Sequence, residues 1–153
     1  MTARPLSESD FSVNFEARPE WVAMVRRAME TLLGADVDVP LLGDVKAGVT
    51  EACVNAVRHA YPAGAGRVEV EAWLEPERLI VSVRDFGRGM APSESRRRGP
   101  GLGLPLMEAL SSGLEISSDD GAGTEVLLRF DLDEEDDGIP PPERSPLPTA
   151  VAA

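Results

Sequence analysis

The sequence is short of cysteine, of cations and of long apolar runs. Cys53 is its only cysteine, so an internal disulfide is excluded, as befits a chain from a reducing compartment. No apolar stretch approaches the roughly 20 residues that a membrane helix needs. Met1 to Asp10 is polar and lacks the apolar centre of a signal peptide, so the expected location is the cytoplasm. Against 27 acidic residues stand only 15 Lys and Arg, a formal net charge of −12. That balance excludes general nucleic-acid binding, which rests on cationic neutralisation of phosphates. It leaves room for a basic protein partner, or for a nucleotide carried with Mg²⁺. There is no internal repeat, and the regular βαβ alternation of a Rossmann domain is missing.

What is present suffices for one domain. The chain has 153 residues, of which 42% are hydrophobic, enough for a real core. Phe11 to Phe15 alternates apolar and polar residues and predicts a strand. Pro19 then opens a helix whose apolar residues Trp21, Val22, Val25, Ala28, Met29 and Leu32 recur at helical spacing, with Gly34 as its stop. After Pro40, a second helical face runs through Leu41, Leu42, Val45, Val49, Ala52, Cys53, Ala56 and Val57, ending near Tyr61 before Pro62 and Gly64. Val68, Val70 and Ala72 alternate with glutamates, and the turn Glu75-Pro76-Glu77 leads into Leu79, Ile80, Val81 and Val83, a strand pair. Asp85 to Gly103 is rich in Gly, Arg and Ser. Leu104 to Leu110 reads as a helix, and Leu114 to Ser117 with Thr124 to Leu132 as a closing hairpin around Asp119-Asp120-Gly121. The order predicts an α+β two-layer sandwich, one mixed sheet with its helices on one face. Residues 1–10 are expected to form a flexible lead-in and 11–132 the folded domain. From 133 to 153 the chain is acidic and proline-rich, a composition that favours disorder.

Three segments carry chemistry. Glu51, Asn55 and His59 are spaced four apart, so they share one face of the second helix, about 6 Å per step. A carboxamide oxygen there suits Mg²⁺, a hard cation that takes oxygen ligands, and a carboxylate one turn away suits the activation of an attacking hydroxyl. Alone, the same spacing also describes an ordinary solvated helical face. Asp85 closes an apolar strand and is followed by Phe86-Gly87-Arg88-Gly89. A strand-end carboxylate can accept a hydrogen bond from the adenine amino group, and the glycines allow close backbone approach to a flat base; a plain turn is the competing reading. Asp85-Phe86-Gly87 also matches the Mg²⁺-binding triad of eukaryotic-type protein kinases, but their upstream glycine loop, strand lysine and catalytic loop are absent. Gly99-Pro100-Gly101-Leu102-Gly103-Leu104 precedes the third helix, where free N–H groups suit a triphosphate, though a flexible loop has the same composition. Arg96, Arg97 and Arg98 lie just before it.

The order of these segments is more specific than any one of them. Glu51-Ala-Cys-Val-Asn55-Ala-Val-Arg-His59-Ala-Tyr61 resembles the N box of the GHKL superfamily of ATPases and kinases. Asp85-Phe-Gly87-Arg-Gly89-Met90 resembles its G1 box, Gly99-Pro-Gly101-Leu-Gly103-Leu its G2 box, and Gly121-Ala-Gly123-Thr124 its last glycine box. The matches span about residues 11 to 131. Within the superfamily the chain most resembles the anti-sigma-factor serine/threonine kinases. The resemblance implies a Bergerat-type sandwich, ATP and Mg²⁺ as ligands, and transfer of the γ-phosphate to a serine or threonine of an anti-anti-sigma (STAS-type) protein. A sigma factor is the second partner, and a homodimer the implied assembly. By position, Glu51 becomes the general base and Asn55 the Mg²⁺ ligand. Asp85 becomes the adenine reader, with Gly87, Gly89 and Thr124 lining the base pocket. Gly101 and Gly103 lie against the phosphates, with Gly99 and Leu102 of the same box among the nucleotide contacts. His59 falls where the family often has a histidine, and a structural hydrogen bond is its expected role. The segment between Gly89 and Gly99 is short for the family's lid. A nucleotide-dependent regulator that sequesters its partner without phosphorylating it is the alternative; the presence of Glu51 favours the kinase.

Overall fold

A computed structural model describes residues 4–5, 7–61, 66–87, 103–119 and 121–132. Strand β1 (Phe11–Glu16) leads to helix α1 (Pro19–Leu33), and helix α2 (Val39–His59) follows. Strands β2 (Arg67–Leu74) and β3 (Arg78–Asp85) precede helix α3 (Gly103–Leu110), and strands β4 (Gly113–Asp119) and β5 (Gly123–Asp131) close the domain. Helix α1 begins on Pro19 and α2 has Pro40 as its second residue, first-turn positions where the missing N–H would have had no partner in the helix.

The five strands form one sheet in the order β1-β2-β3-β5-β4, and every adjacent pair is antiparallel. The expected α+β two-layer architecture is therefore present, but the sheet is antiparallel, not mixed. The connections explain the difference. Two helices between β1 and β2 return the chain in the reverse direction. The single helix between β3 and β4 does make those strands run the same way, but β5 folds back between them, so they never pair.

The helices cover one face of the sheet. Val22, Val25, Met29 and Leu33 of α1 and Val45, Val49, Ala52, Cys53 and Ala56 of α2 meet Val68, Val70, Leu79, Val81, Val83, Leu128 and Phe130 of the strands in one apolar cluster. Gly48 lies over Leu128 and Phe130, its small size letting α2 ride close to the sheet. Burial pushes the Cys53 thiol up to about 12, so it stays neutral and behaves as a core residue. The buried stripe of α1 differs from the expected one. Leu33 takes the place of Leu32, while Trp21 and Leu32 are 38% and 48% exposed. Docking onto β1 and α2 together rotates the stripe to Val22-Val25-Met29-Leu33, a choice that apolar spacing alone leaves open.

The second face of the sheet is not bare. Trp73, Ile80 and Leu127 form a small buried cluster there. Residues expected to be a flexible lead-in lie against it. The Arg4 guanidinium sits 5.4 Å from the centre of the Trp73 ring and pairs with Glu71, with Glu125 3.6 Å away. Trp73 Nε1–H donates to the Ser7 carbonyl at 3.0 Å, and Asp10 Oδ2 accepts the Leu74 N–H at 2.7 Å. An apolar patch around a tryptophan next to glutamates needs both a cover and a cation, and the opening segment supplies both.

Candidate nucleotide site

Asp85 is the last residue of β3 and one of only three buried polar or charged residues among those described, at 6% exposure. Strand alternation places its side chain on the helix face, in line with Val81 and Val83. Its register partners are Val68 and Thr124. Oδ1 accepts the N–H of Gly87 at 3.1 Å and that of Thr124 at 3.2 Å. Both bonds fall on the same oxygen, and Oδ2 accepts none among the described residues. Burial raises the carboxyl above the ordinary aspartate range, and the two backbone N–H groups pull it partly back. Among the described residues, no cation pairs with it.

Two glycines make this corner. A Cβ on Gly87 would strike the carbonyl of Ala60, at the end of α2, so only glycine lets the turn after β3 tuck under that helix. Gly123 has φ +94, and its Cβ would strike the Asp85 carbonyl, so it allows the close approach of β5 to β3. Thr124 is buried, with its hydroxyl 3.2 Å from that of Ser118.

The α2 residues lie beside this corner on one flank. Thr50, Val54, Val57 and Arg58 line a groove of about 320 Å³ against α1. At 100° per residue, Glu51, Asn55 and His59 therefore face away from α1, toward the side on which α3 packs. All three are half-buried. The side chains of Glu51 and Asn55 make no hydrogen bond or ion pair among the described residues. A half-buried carboxylate and a carboxamide one turn apart are thus both uncommitted. Gly103 is the first residue of α3. Gly89, Gly99, Gly101 and Leu102 lie outside the described residues, as do Arg96 to Arg98, the short lid segment and the tail from 133.

The donor set fits Mg²⁺ carried in by a nucleotide better than a resident metal. No group of three or more His, Cys, Asp or Glu among the described residues could hold an ion. A single carboxamide oxygen suits a cation that keeps its waters and takes phosphate oxygens for the rest of its shell.

The sequence reading singled out Asp85, Gly87 and Thr124, and the structure brings these three together. It missed the part played by Gly123 and by Ala60 and Tyr61 just past α2. Gly123 and Tyr61 stand inside the glycine box and the N box quoted above, but with no role of their own assigned there.

Residues 15–130 match the histidine kinase-like ATPase domain, and the chain belongs to that family. Among curated relatives, it is 30% identical over 141 residues to the serine-protein kinase RsbW of Bacillus licheniformis, covering 80% of this chain and 86% of that one. It is 28% identical over 136 residues to the anti-sigma F factor of Clostridium beijerinckii, covering 81% and 95% respectively. A solved structure, the histidine kinase domain of the blue-light activated histidine kinase of Erythrobacter litoralis EL346, superposes with a TM-score of 0.56. It covers 74% of this chain and 60% of that domain at 22% identity, a likeness of fold. Among the described residues, no helix is long and apolar enough to cross a membrane.

Proposed function

We propose that this protein is an ATP-dependent anti-sigma serine/threonine kinase, which holds a sigma factor and phosphorylates an anti-anti-sigma protein of the STAS type. The observation that carries the nucleotide half of this reading is the state of Asp85. It is buried, anchored through Oδ1 and has Oδ2 uncommitted. Burial disfavours the charged carboxylate, and the amino group of adenine is a donor of the right kind for its uncommitted oxygen. Similarity to a serine-protein kinase and to an anti-sigma F factor over four-fifths of the chain supports the protein-level half.

In this reading Asp85 orients the base while Gly87 and Thr124 shape its pocket. Gly89, Gly99, Gly101, Leu102 and Gly103 complete the nucleotide contacts. Asn55 holds Mg²⁺, which supplies charge neutralisation at the phosphates when bound. Glu51 takes the proton from the serine or threonine hydroxyl of the partner as that oxygen forms its bond to the γ-phosphorus and the bond to ADP breaks. The proposal includes a cytoplasmic homodimer, as the family resemblance implies.

The test is phosphotransfer. The protein is incubated with γ-labelled ATP, a sigma factor and STAS-type proteins. Label on a serine or threonine of a STAS-type protein is the expected result. Retained ATP and sigma binding with no transfer to any of them would make the protein a sequestering regulator instead.

A further inference from the structure

Tyr61 follows α2 and sits against the turn that carries Asp85. Its hydroxyl donates to the Arg67 carbonyl at 2.5 Å and accepts the Phe86 N–H at 2.8 Å. A phenol has one proton to give and lone pairs to receive, and this one does both, on the first strand residue of β2 and on the residue after β3. The ring has a reserved place, because a Cβ on Gly66 would collide with it.

The residue that Tyr61 holds is fixed from its other side too. The Phe86 ring is in contact range of two guanidinium groups, 4.6 Å from that of Arg67 and 5.0 Å from that of Arg84. Glu69 and Arg84 are register partners on the sheet face opposite the helices, so Phe86 is pinned outward while Asp85 points inward. Gly87, next along, is wedged against the Ala60 carbonyl. The three-residue turn is thus gripped by Ala60 and Tyr61, consecutive residues at the end of the helix that carries Glu51 and Asn55.

We infer that Tyr61 is a positioning residue for adenine recognition: its hydroxyl locks the backbone between Asp85 and Gly87 to the end of α2, and so fixes the aim of Asp85 Oδ2. The inference rests on the adenine-reading role proposed for Asp85. Thr124 and Gly87 anchor Oδ1, but the Asp85–Phe86 peptide is held by the tyrosine. Without the hydroxyl, water can satisfy the Phe86 N–H at this exposed rim, so the fold keeps its stability while the carboxylate loses its fixed direction.

Tyr61→Phe keeps the ring and removes only the hydroxyl. Calorimetry would measure the affinity of the full chain for ATP and for purine riboside triphosphate, which lacks only the 6-amino group, with melting temperature recorded alongside. Wild type should prefer ATP. In Tyr61→Phe that preference should fall about three- to tenfold, through weaker ATP binding alone, with the melting temperature unchanged. Gly66→Ala, which crowds the ring and leaves the hydroxyl in place, should shift the preference the same way. Equal weakening of both nucleotides in Tyr61→Phe, or an unchanged preference, would overturn the positioning role. Asp85→Asn is the control for the reading beneath it. If that variant keeps the full preference for ATP, adenine reading by Asp85 falls, and the role of Tyr61 with it. If Asp85→Asn loses the preference and Tyr61→Phe retains it, only the tyrosine inference is lost.

Discussion

The two ends of the β2–β3 hairpin treat a carboxylate in opposite ways. At the turn end, Glu75 faces Arg78, with Oε2 2.5 Å from Nε, and both are open to solvent. The pairing holds the Arg78 guanidinium still more firmly in its charged form. At the far end, Asp85 is buried with two backbone N–H groups on one oxygen, a raised pKa and, among the described residues, no paired cation. The first arrangement is what a surface turn needs to stay soluble. The second costs stability and offers the fold nothing in return that an asparagine would not. A group kept at a loss points to a ligand.

The largest effect expected from sharpening this contrast lies above the Asp85 corner. Glu51→Gln keeps the side-chain shape and removes the basic oxygen. Transfer to the partner serine or threonine should drop at least about a hundredfold, with ATP and partner affinity near normal. Equal transfer rates for the two proteins would return Glu51 to the solvated face of α2.

Asp85→Asn comes next and should separate binding from stability. Losing a charge-assisted bond to the adenine amine should weaken ATP more than about tenfold. Stability moves the other way. A raised carboxyl in the fold means that the charged form is disfavoured there. The fold therefore loses stability as pH rises from the ordinary aspartate value through the raised one, and has lost it by neutral pH. Asn can still accept from Gly87 and Thr124 through its oxygen. At pH 7 the variant should melt no lower than wild type, and the difference should vanish below the ordinary aspartate range, where both side chains are neutral. A variant that bound ATP normally but melted well below wild type would make Asp85 structural.

Asn55→Ala should leave ATP binding insensitive to added Mg²⁺ and abolish transfer, as judged by titrations with and without the metal. Persisting Mg²⁺ dependence would remove Asn55 from the site. The smallest effect belongs to the control end. Glu75→Ala breaks only an exposed pair, and neither melting temperature nor ATP affinity should change measurably. A clear loss of ATP affinity there would erase the contrast between the two ends.

Much of the domain is legible along the chain because its signals are local. Pro19 and Pro40 mark helix starts, and the alternation of Val68, Val70 and Ala72 with glutamates marks a half-covered strand. Other features are not local. The rotation of α1 that buries Leu33 and exposes Leu32 depends on what the helix packs against. The grip of Arg4 on Glu71 and Trp73 joins residues almost seventy positions apart in a segment whose composition reads as a loose lead-in. Asp85, Gly87 and Thr124 are visible as candidates, since a carboxylate among glycines after an apolar strand is uncommon. That Oδ1 is spent and Oδ2 spare is a matter of angles no pattern carries.

By itself the sequence determined the number and order of the elements, because turns, caps and apolar periods act over a few residues. It also singled out Glu51, Asn55 and Asp85 as candidates, because their types and order along the chain resemble the boxes of the family. Only the tertiary structure decided that β5 enters between β3 and β4 and makes the sheet antiparallel throughout. That insertion brings Thr124 opposite Asp85 and Gly123 against its carbonyl, and so builds the corner that holds Asp85. The physical reason is range: a strand's neighbours are chosen by the burial of whole faces, a sum over the entire chain that no short stretch of it contains.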